Sequence, residues 1–159
     1  MAKDRIERDV YIAASVERVW AVVTEPAHVG VWFGNGEPAE MELTPGGRIT
    51  FDHGPHGKLP AIVEEVREPD LFSFRWAADD TGGREPTALN STLVEFILEA
   101  EGEGMRLRVV ESGFSRVIAE PGVLESRYKA NAAGWGQAVA GLAKYAEYEE
   151  REEYEESAA

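Results

Sequence analysis

The feature that most constrains the fold is a long stretch of alternating apolar and polar residues between about residues 37 and 112. Alternation with a period of two is typical of β-strands that bury one face. The stretch is interrupted by short segments rich in glycine, proline and acidic residues, which are typical of turns. These interruptions are TPGG, HGPHG, REPD, DDTGGREP and EGEG. The pattern therefore predicts about six antiparallel strands joined by turns.

Helical patterns and one further strand flank this stretch. RIERDVYI alternates like a half-buried strand, with Ile6 and Ile12 on one face. Ser15 is a suitable N-cap for a short amphipathic helix, and Pro26 suits the first position of a second one. A final long helix is predicted to begin near Ser126.

The order of these elements indicates the fold class. Strand, two short helices, about six strands and one long helix predict an α+β domain, in which a curved antiparallel sheet of six to seven strands wraps around the C-terminal helix. We predict a single domain over residues 1–148. Residues 149–159 are predicted to form an acidic tail, because glutamates three and four apart on a helix repel one another.

Composition and charge exclude several function classes. Thirty acidic and sixteen basic residues give a formal net charge of −14, which repels nucleic acid and anionic lipid. The absence of cysteine excludes disulfides, thiolate nucleophiles and cysteine-based zinc or iron–sulfur sites. No apolar run is long enough to cross a bilayer and no signal region opens the chain, so we expect a cytoplasmic location without stable membrane insertion.

Three glycines interrupt the helical pattern of GWGQAVAGLAKY, at Gly134, Gly136 and Gly141. Each glycine within a helix costs roughly 1 kcal/mol relative to alanine. Our interpretation is that they allow the helix to approach the sheet closely and leave volume beside Trp135.

The order of these motifs resembles a known family. The segments TEPAHVGVWF, ELTPGGRITF, EEVREPDLFSFRW, STLVEFILEAEGEGMRLRVVESGF and the late GW are similar to those of the SRPBCC superfamily of helix-grip (START-like) domains. Within it, the chain resembles the C-terminal domain of activators of the 90-kDa heat-shock protein ATPase. The resemblance covers roughly residues 5–148.

The resemblance implies an internal apolar cavity between the sheet and the C-terminal helix, which in many members holds a hydrophobic small molecule. The residues that it places around this cavity are Trp32, Phe33, Phe74, Trp76, Phe96, Tyr128, Asn131 and Trp135. Glu111 stands where many relatives have a histidine, so no ligand preference carries over. The co-chaperones also contain an N-terminal domain that has no counterpart here, so we do not expect this chain by itself to stimulate the ATPase of the heat-shock protein; whether a chaperone is a partner stays open.

Glu111 is the most informative polar residue, because strand alternation places it on the same inward face as Leu107 and Val109. A buried carboxylate needs a partner or a polar part of a cavity. The functional interpretation is a polar anchor for a ligand or a weak candidate for a general acid or base. The structural interpretation, which we rank slightly ahead, is an ion pair with an arginine such as Arg127 or a solvated strand end.

Other candidate sites have weak support. Asp52, His53 and His56 could ligate a divalent ion, but they lie in a turn without a further ligand, so no metal is predicted. No cofactor is predicted either, since GWGQ lies within a helix and does not follow a strand as a dinucleotide fingerprint does.

Three functions remain open from the sequence. The first is binding of an apolar small molecule without catalysis. The second is an enzyme of the cyclase, dehydratase or hydrolase type that uses the same cavity with Glu111 as acid or base. The third is a chaperone-associated or stress-related interaction domain. The sequence leaves open whether the chain forms a homodimer.

Overall fold

A computed structural model describes residues 4–79 and 84–158, with the side chains of His56 and of residues 149–158 excepted. The strands are β1 (Arg5–Ile12), β2 (Glu40–Met41), β3 (Arg48–Asp52), β4 (Lys58–Arg67), β5 (Leu71–Ala77), β6 (Ser91–Glu101) and β7 (Gly104–Ser112). The helices are α1 (Val16–Thr24), α2 (Pro26–Trp32) and α3 (Pro121–Ala158), with short 3₁₀ turns at Gly54–His56 and Phe114–Arg116.

All seven strands form one antiparallel sheet in the order β1-β7-β6-β5-β4-β3-β2. The predicted α+β helix-grip fold is therefore confirmed. The register between β4 and β5 shifts at Val63 and Glu65, and such a bulge bends and twists the bulged strand. No helix among the described residues combines the length and apolar character needed to cross a membrane.

The helical starts follow from local chemistry. The Ser15 hydroxyl accepts a hydrogen bond of 3.0 Å from the Arg18 amide and caps α1 as predicted. Pro26 is the first residue of α2. Proline lacks a backbone N–H, but at this position an N–H would have no hydrogen-bond partner within the helix. α3 begins at Pro121, five residues before the predicted start at Ser126. Its proline at the first turn is the signal that the sequence prediction missed.

α3 lies against the inner face of the sheet near β1. Trp135, Val139 and Leu142 turn towards the core from α3. Arg8 reaches from β1 and donates a hydrogen bond of 3.0 Å to the Ala132 carbonyl of α3. The helix backbone continues to Ala158, and the boundary at residue 148 between a domain and an acidic tail stays a prediction.

Our interpretation of the three glycines of α3 is wrong. Gly134, Gly136 and Gly141 all lie on the exposed side of the helix. A methyl group at Gly134 or Gly141 would meet no atom within 4 Å, and one at Gly136 would lie at an ordinary 3.7 Å from Arg8 Nε. The glycines neither permit a close approach to the sheet nor leave space beside Trp135.

Replacement of Gly134 or Gly141 by alanine is expected to stabilise the protein by roughly 0.5 to 1 kcal/mol each, because helix propensity improves and no contact is disturbed. Urea denaturation would measure the change, and the two gains should add because the sites are about 10 Å apart along the helix. Ala140→Gly on the same exposed side is the matched control and should destabilise by a similar amount. A loss of stability in either alanine variant would contradict the exposed placement.

Candidate functional site

A fully buried carboxylate lies at the centre of the interface between the sheet and α3. Glu111 on β7 is 0% exposed. Its Oε1 accepts hydrogen bonds from Trp135 Nε1 at 2.8 Å and from Asn131 Nδ2 at 3.1 Å. Its Oε2 accepts from Thr92 Oγ1 at 2.6 Å and from Trp76 Nε1 at 2.9 Å, with the Asn131 amide also within 3.2 Å. Both oxygens are thus saturated with donors.

The sheet register brings these donors together. Trp76 on β5 and Thr92 on β6 are paired directly across the strands, and Glu111 on β7 is paired with Val94, two residues after Thr92. All of them point to the inner face, because side chains alternate along a strand. Asn131 and Trp135 complete the site from α3, where a spacing of four residues places both on one face.

The hydrogen bonds of Glu111 link the sheet to α3. All four donors are uncharged, so the hydrogen bonds alone offset the loss of water around Glu111. Of the two structural alternatives from the sequence, the solvated strand end is wrong, because Glu111 is fully buried. An ion pair between Glu111 and Arg127 stays a prediction. The site joins β5, β6, β7 and α3 at one point.

An aromatic stack lies beside the carboxylate. The Phe33 ring lies almost parallel to that of Trp135, at an interplanar angle of 5° and a centroid distance of 5.5 Å. It also stacks on Trp76 at 6.1 Å, and the two indoles stack on each other at 5.6 Å. Phe96 contacts Trp135 edge-on, and Phe74 contacts Trp76 in the same way. These rings lie in the region where the resemblance places the lining of a cavity.

Open space adjoins the stack on its outer side. A pocket of about 270 Å³ is bounded by Phe33, by the segment 34–40 and by β3 and the start of β4. The His53 ring lies edge-on to Phe33 at 4.9 Å, and its Nε2 makes a hydrogen bond of 3.0 Å with the Phe33 carbonyl oxygen. Phe33 therefore separates this pocket from the two indoles and the carboxylate behind them.

The remaining predicted residues lie further apart. Trp32 contacts Phe33 and Phe96, and its Nε1 donates to the Val22 carbonyl at 2.8 Å. Tyr128 lies against Phe114 and donates a hydrogen bond of 2.8 Å to the Arg5 carbonyl. No hydrogen bond or ring contact among the described residues connects Tyr128 with the group around Glu111.

Two contributors were missed by sequence reasoning. Thr92 is the first inward-facing residue of β6 and lies diagonal to Glu111 on the neighbouring strand. Strand alternation could therefore have identified it as a hydrogen-bond donor to Glu111. His53 was considered only as a metal ligand. In the structure it contacts Phe33, and the neighbouring Asp52 carboxylate accepts a hydrogen bond of 2.9 Å from the Gly54 amide. Nothing in the sequence pattern connects residue 33 with residue 53.

Comparison with known families gives a match over most of the chain. Residues 13–147 match the sequence model of the family described as Activator of Hsp90 ATPase homolog 1-like protein. The chain belongs to this family. The resemblance to the SRPBCC superfamily is thereby confirmed at the level of family and fold. A comparison with curated protein sequences gives no match.

Solved structures share the fold of this Hsp90-activator-like chain. Protein MLL2253 from Mesorhizobium loti superimposes with a TM-score of 0.70 at 21% identity, over 88% of this chain and 94% of that one. The Aha1 dimer from Colwellia psychrerythraea gives 0.71 at 18% identity, over 92% and 97%. DynU16, from the dynemicin biosynthetic locus, gives 0.71 at 28% identity, over 91% of this chain and 47% of that one. This chain thus spans about half of DynU16.

Proposed function

We propose that this domain binds a flat apolar small molecule, of one or two rings, in the slot that the Phe33 ring occupies against Trp76 and Trp135. The observation that carries the proposal is the position of Phe33. It is the half-buried residue that follows the seven-residue helix α2, yet it stacks on two indoles of the core. A ligand ring could take the same place with the same stacking contacts.

The surroundings of Phe33 support an exchange of this kind. Its outer side already borders a pocket of about 270 Å³, so a ligand has an approach that does not cross the sheet. Two glycines, Gly34 and Gly36, follow Phe33 within three residues, and Gly36 has a φ of +96°. The His53 hydrogen bond to the Phe33 carbonyl has to break or adjust, and so do backbone hydrogen bonds such as those from the Phe33 amide to the Val29 carbonyl and from the Gly36 amide to the Gly30 carbonyl.

Glu111 has a positioning role in this proposal. It fixes both indole N–H groups, so the faces of Trp76 and Trp135 are presented to the slot in a set orientation. Acid or base catalysis is less well supported, because Glu111 is fully buried and each of its oxygens already accepts at least two hydrogen bonds. Binding without catalysis therefore agrees better with the geometry than the enzyme alternative does.

The relatives add a chemical context. DynU16 is encoded in a biosynthetic locus. The resemblance to the SRPBCC superfamily implies a hydrophobic small molecule as the ligand. The Colwellia protein is a dimer, which supports a homodimer for this chain as well. Size-exclusion chromatography with light scattering would measure the oligomeric state. A cytoplasmic location and the absence of ATPase stimulation by this chain alone stay predictions.

Fluorescence titration with the uncharged probe N-phenyl-1-naphthylamine tests the slot. Phe33→Ala should bind the probe at least fivefold more tightly than the unchanged protein, because the ring that competes for the slot has been removed. Phe33→Trp should bind more weakly, since a larger ring fills the slot. Native mass spectrometry of the freshly purified protein would then identify any retained ligand.

Val31→Ala is the matched control for this titration. Val31 lies on the same short helix but is 52% exposed, so its removal should leave the Kd for the probe unchanged. Equal affinities for Phe33→Ala and the unchanged protein would contradict the proposal. So would an equal gain in Val31→Ala, which would indicate a general loosening of α2.

A further inference from the structure

A second pocket lies on the opposite face of the sheet from α3. It encloses about 470 Å³. Its floor is one row of side chains, Ile62, Arg75, Leu93 and Ser112, which are paired in register across β4, β5, β6 and β7. Arg75 and Ser112 directly neighbour the inward-facing Trp76 and Glu111, so alternation places them on the outer face. This pocket is therefore separate from the slot at Phe33.

Hydrogen bonds within the chain hold one wall of this pocket in place. The Thr87 amide donates to Asn90 Oδ1 at 2.7 Å, and Ser91 Oγ donates to the Thr87 carbonyl at 2.5 Å. The Ile118 amide donates to the Leu89 carbonyl at 2.8 Å, which joins this segment to the chain after β7. Because these hydrogen bonds already order the wall, a ligand would not have to pay the entropic cost of ordering it, which favours binding.

Arg116 lies on the opposite wall of the pocket, in the 3₁₀ turn Phe114–Arg116, which Asp4 holds in place. The Asp4 carboxylate accepts hydrogen bonds from the amide and the hydroxyl of Ser115. The Ser115 hydroxyl is the main cause of a lowered pKa of Asp4, to which the charge of Arg116 adds. Gly113, at a φ of +97°, lets the guanidinium lie over its backbone, with Nη2 3.7 Å from where a Cβ would be. The Arg116 amide donates a hydrogen bond of 3.0 Å to the Gly113 carbonyl, whereas its guanidinium donates to no side chain or backbone group among the residues that the structure describes.

Arg75 supplies a second cation from the floor. Its Nε binds the Glu64 carboxylate at 3.2 Å. Its two terminal nitrogens donate to no side chain or backbone group in the described part of the chain, and the side chain is 39% exposed. Two guanidinium groups with free donors thus line one pocket of a protein whose net charge is −14.

We propose that this pocket, defined by Ile62, Arg75, Leu93, Ser112 and Arg116, binds a small organic monocarboxylate. The carboxylate would bridge the Arg75 and Arg116 guanidiniums, which match its planar geometry. The apolar body of the ligand would lie on Ile62 and Leu93, since the volume exceeds what an inorganic ion fills. A single negative charge is favoured over a phosphate dianion, because the acidic protein repels each further charge.

NMR titration of the ¹⁵N-labelled protein with 4-phenylbutyrate tests this inference. The amide signals of Ser112 and Gly113 should shift with a Kd of about 1 mM or tighter. Arg75→Gln and Arg116→Gln should each weaken binding at least fivefold, and the neutral 4-phenylbutyramide should bind at least fivefold more weakly than the acid. Binding should also weaken with added salt, because the cations are partly exposed.

Arg108→Gln is the matched control. Arg108 is an exposed arginine on the same face of β7, roughly 13 Å along the strand from Ser112, so its removal changes the net charge equally. Its Kd should stay within twofold of that of the unchanged protein. The inference is overturned if Arg108→Gln weakens binding as much as Arg116→Gln, if the amide binds as well as the acid, or if no shift occurs. It is also overturned if the indole N–H signals of Trp76 and Trp135 shift in place of Ser112 and Gly113, which would place the probe in the Phe33 slot.

Discussion

Glu111→Leu is expected to lower the free energy of unfolding by roughly 3 to 5 kcal/mol, the largest effect of any single substitution considered for this protein. Leucine would leave the N–H groups of Trp76 and Trp135, the Thr92 hydroxyl and the Asn131 amide without an acceptor in a fully buried site. Each unsatisfied buried donor costs roughly 1 to 3 kcal/mol, although rearrangement and water entry reduce the sum.

Glu111→Gln should be intermediate, with a loss of roughly 1 to 3 kcal/mol, because one oxygen remains while an NH₂ group meets donors on the other side. Urea denaturation of both variants would give the loss as a fall in the midpoint. A double-mutant cycle of Glu111→Leu with Trp135→Phe isolates the hydrogen bond between Glu111 and the Trp135 indole. Once position 111 is leucine, that indole N–H has no acceptor, so its removal costs less. The stability losses of the two single variants should therefore sum to more than the loss in the double variant.

Glu99→Gln provides the control for a change of charge alone. Glu99 is exposed on β6, and its substitution should change stability by no more than about 0.5 kcal/mol. If Glu111→Leu unfolded at the same urea concentration as the unchanged protein, the hydrogen bonds at this site would not stabilise the fold. Replacement of Glu111 and all of its donors together by apolar residues can leave stability unchanged. The decisive measurement is therefore the single substitution Glu111→Leu.

Gly30→Ala is expected to destabilise by roughly 1 to 3 kcal/mol through overpacking. A methyl group at this position would lie 1.8 Å from the Glu37 carbonyl oxygen and 3.3 Å from Pro38 Cα, both in the backbone. The segment after Phe33 folds back over α2, with the Gly36 amide donating to the Gly30 carbonyl at 2.8 Å. This segment therefore has to move away if position 30 carries a side chain.

The same substitution should change binding at the Phe33 slot, because residues 34–40 bound its outer pocket. We expect thermal and urea denaturation to show the loss of stability and the N-phenyl-1-naphthylamine titration to show an altered Kd. Gly141→Ala is the control, since the same chemical change on α3 meets open space. Stabilisation by both substitutions would contradict the close approach of residue 37 to α2.

The strands and their faces could be predicted from the sequence because alternation reports directly on burial. RIERDVYI forms β1 over its full length, and the rows that begin at Thr92 and Met105 point inward as predicted. The inward direction of Glu111 follows from the same parity. Its partners do not, because they come from two other strands and from α3, and their meeting depends on the sheet register and on how α3 is rotated.

The errors have the same physical origin. The three glycines of α3 could be placed on a helix but not on its inner or outer side, since that depends on which residues pack against β1. Charge alone suggested Arg127 as the partner of a buried carboxylate, and that pairing stays a prediction. The neutral donors around Glu111 could not be distinguished from ordinary core residues, because tryptophan and threonine in strands are common for packing reasons.

The pairing of β1 with β7 also determines when this chain can complete its fold during synthesis. Ile12 pairs with Met105 and Arg5 with Ser112, so β1 has no neighbour in the sheet until β7, the last of the seven described strands, has emerged from the ribosome. Until then β1 presents unpaired amides and carbonyls, and the strand order leaves no other strand to satisfy them. The chain between β1 and β7 has to close as a long loop before these two strands make contact, and such long-range pairing slows folding. Among the seven strands, β1 is thus exposed longest to non-native association, which its charged residues, alternating with the apolar ones, oppose.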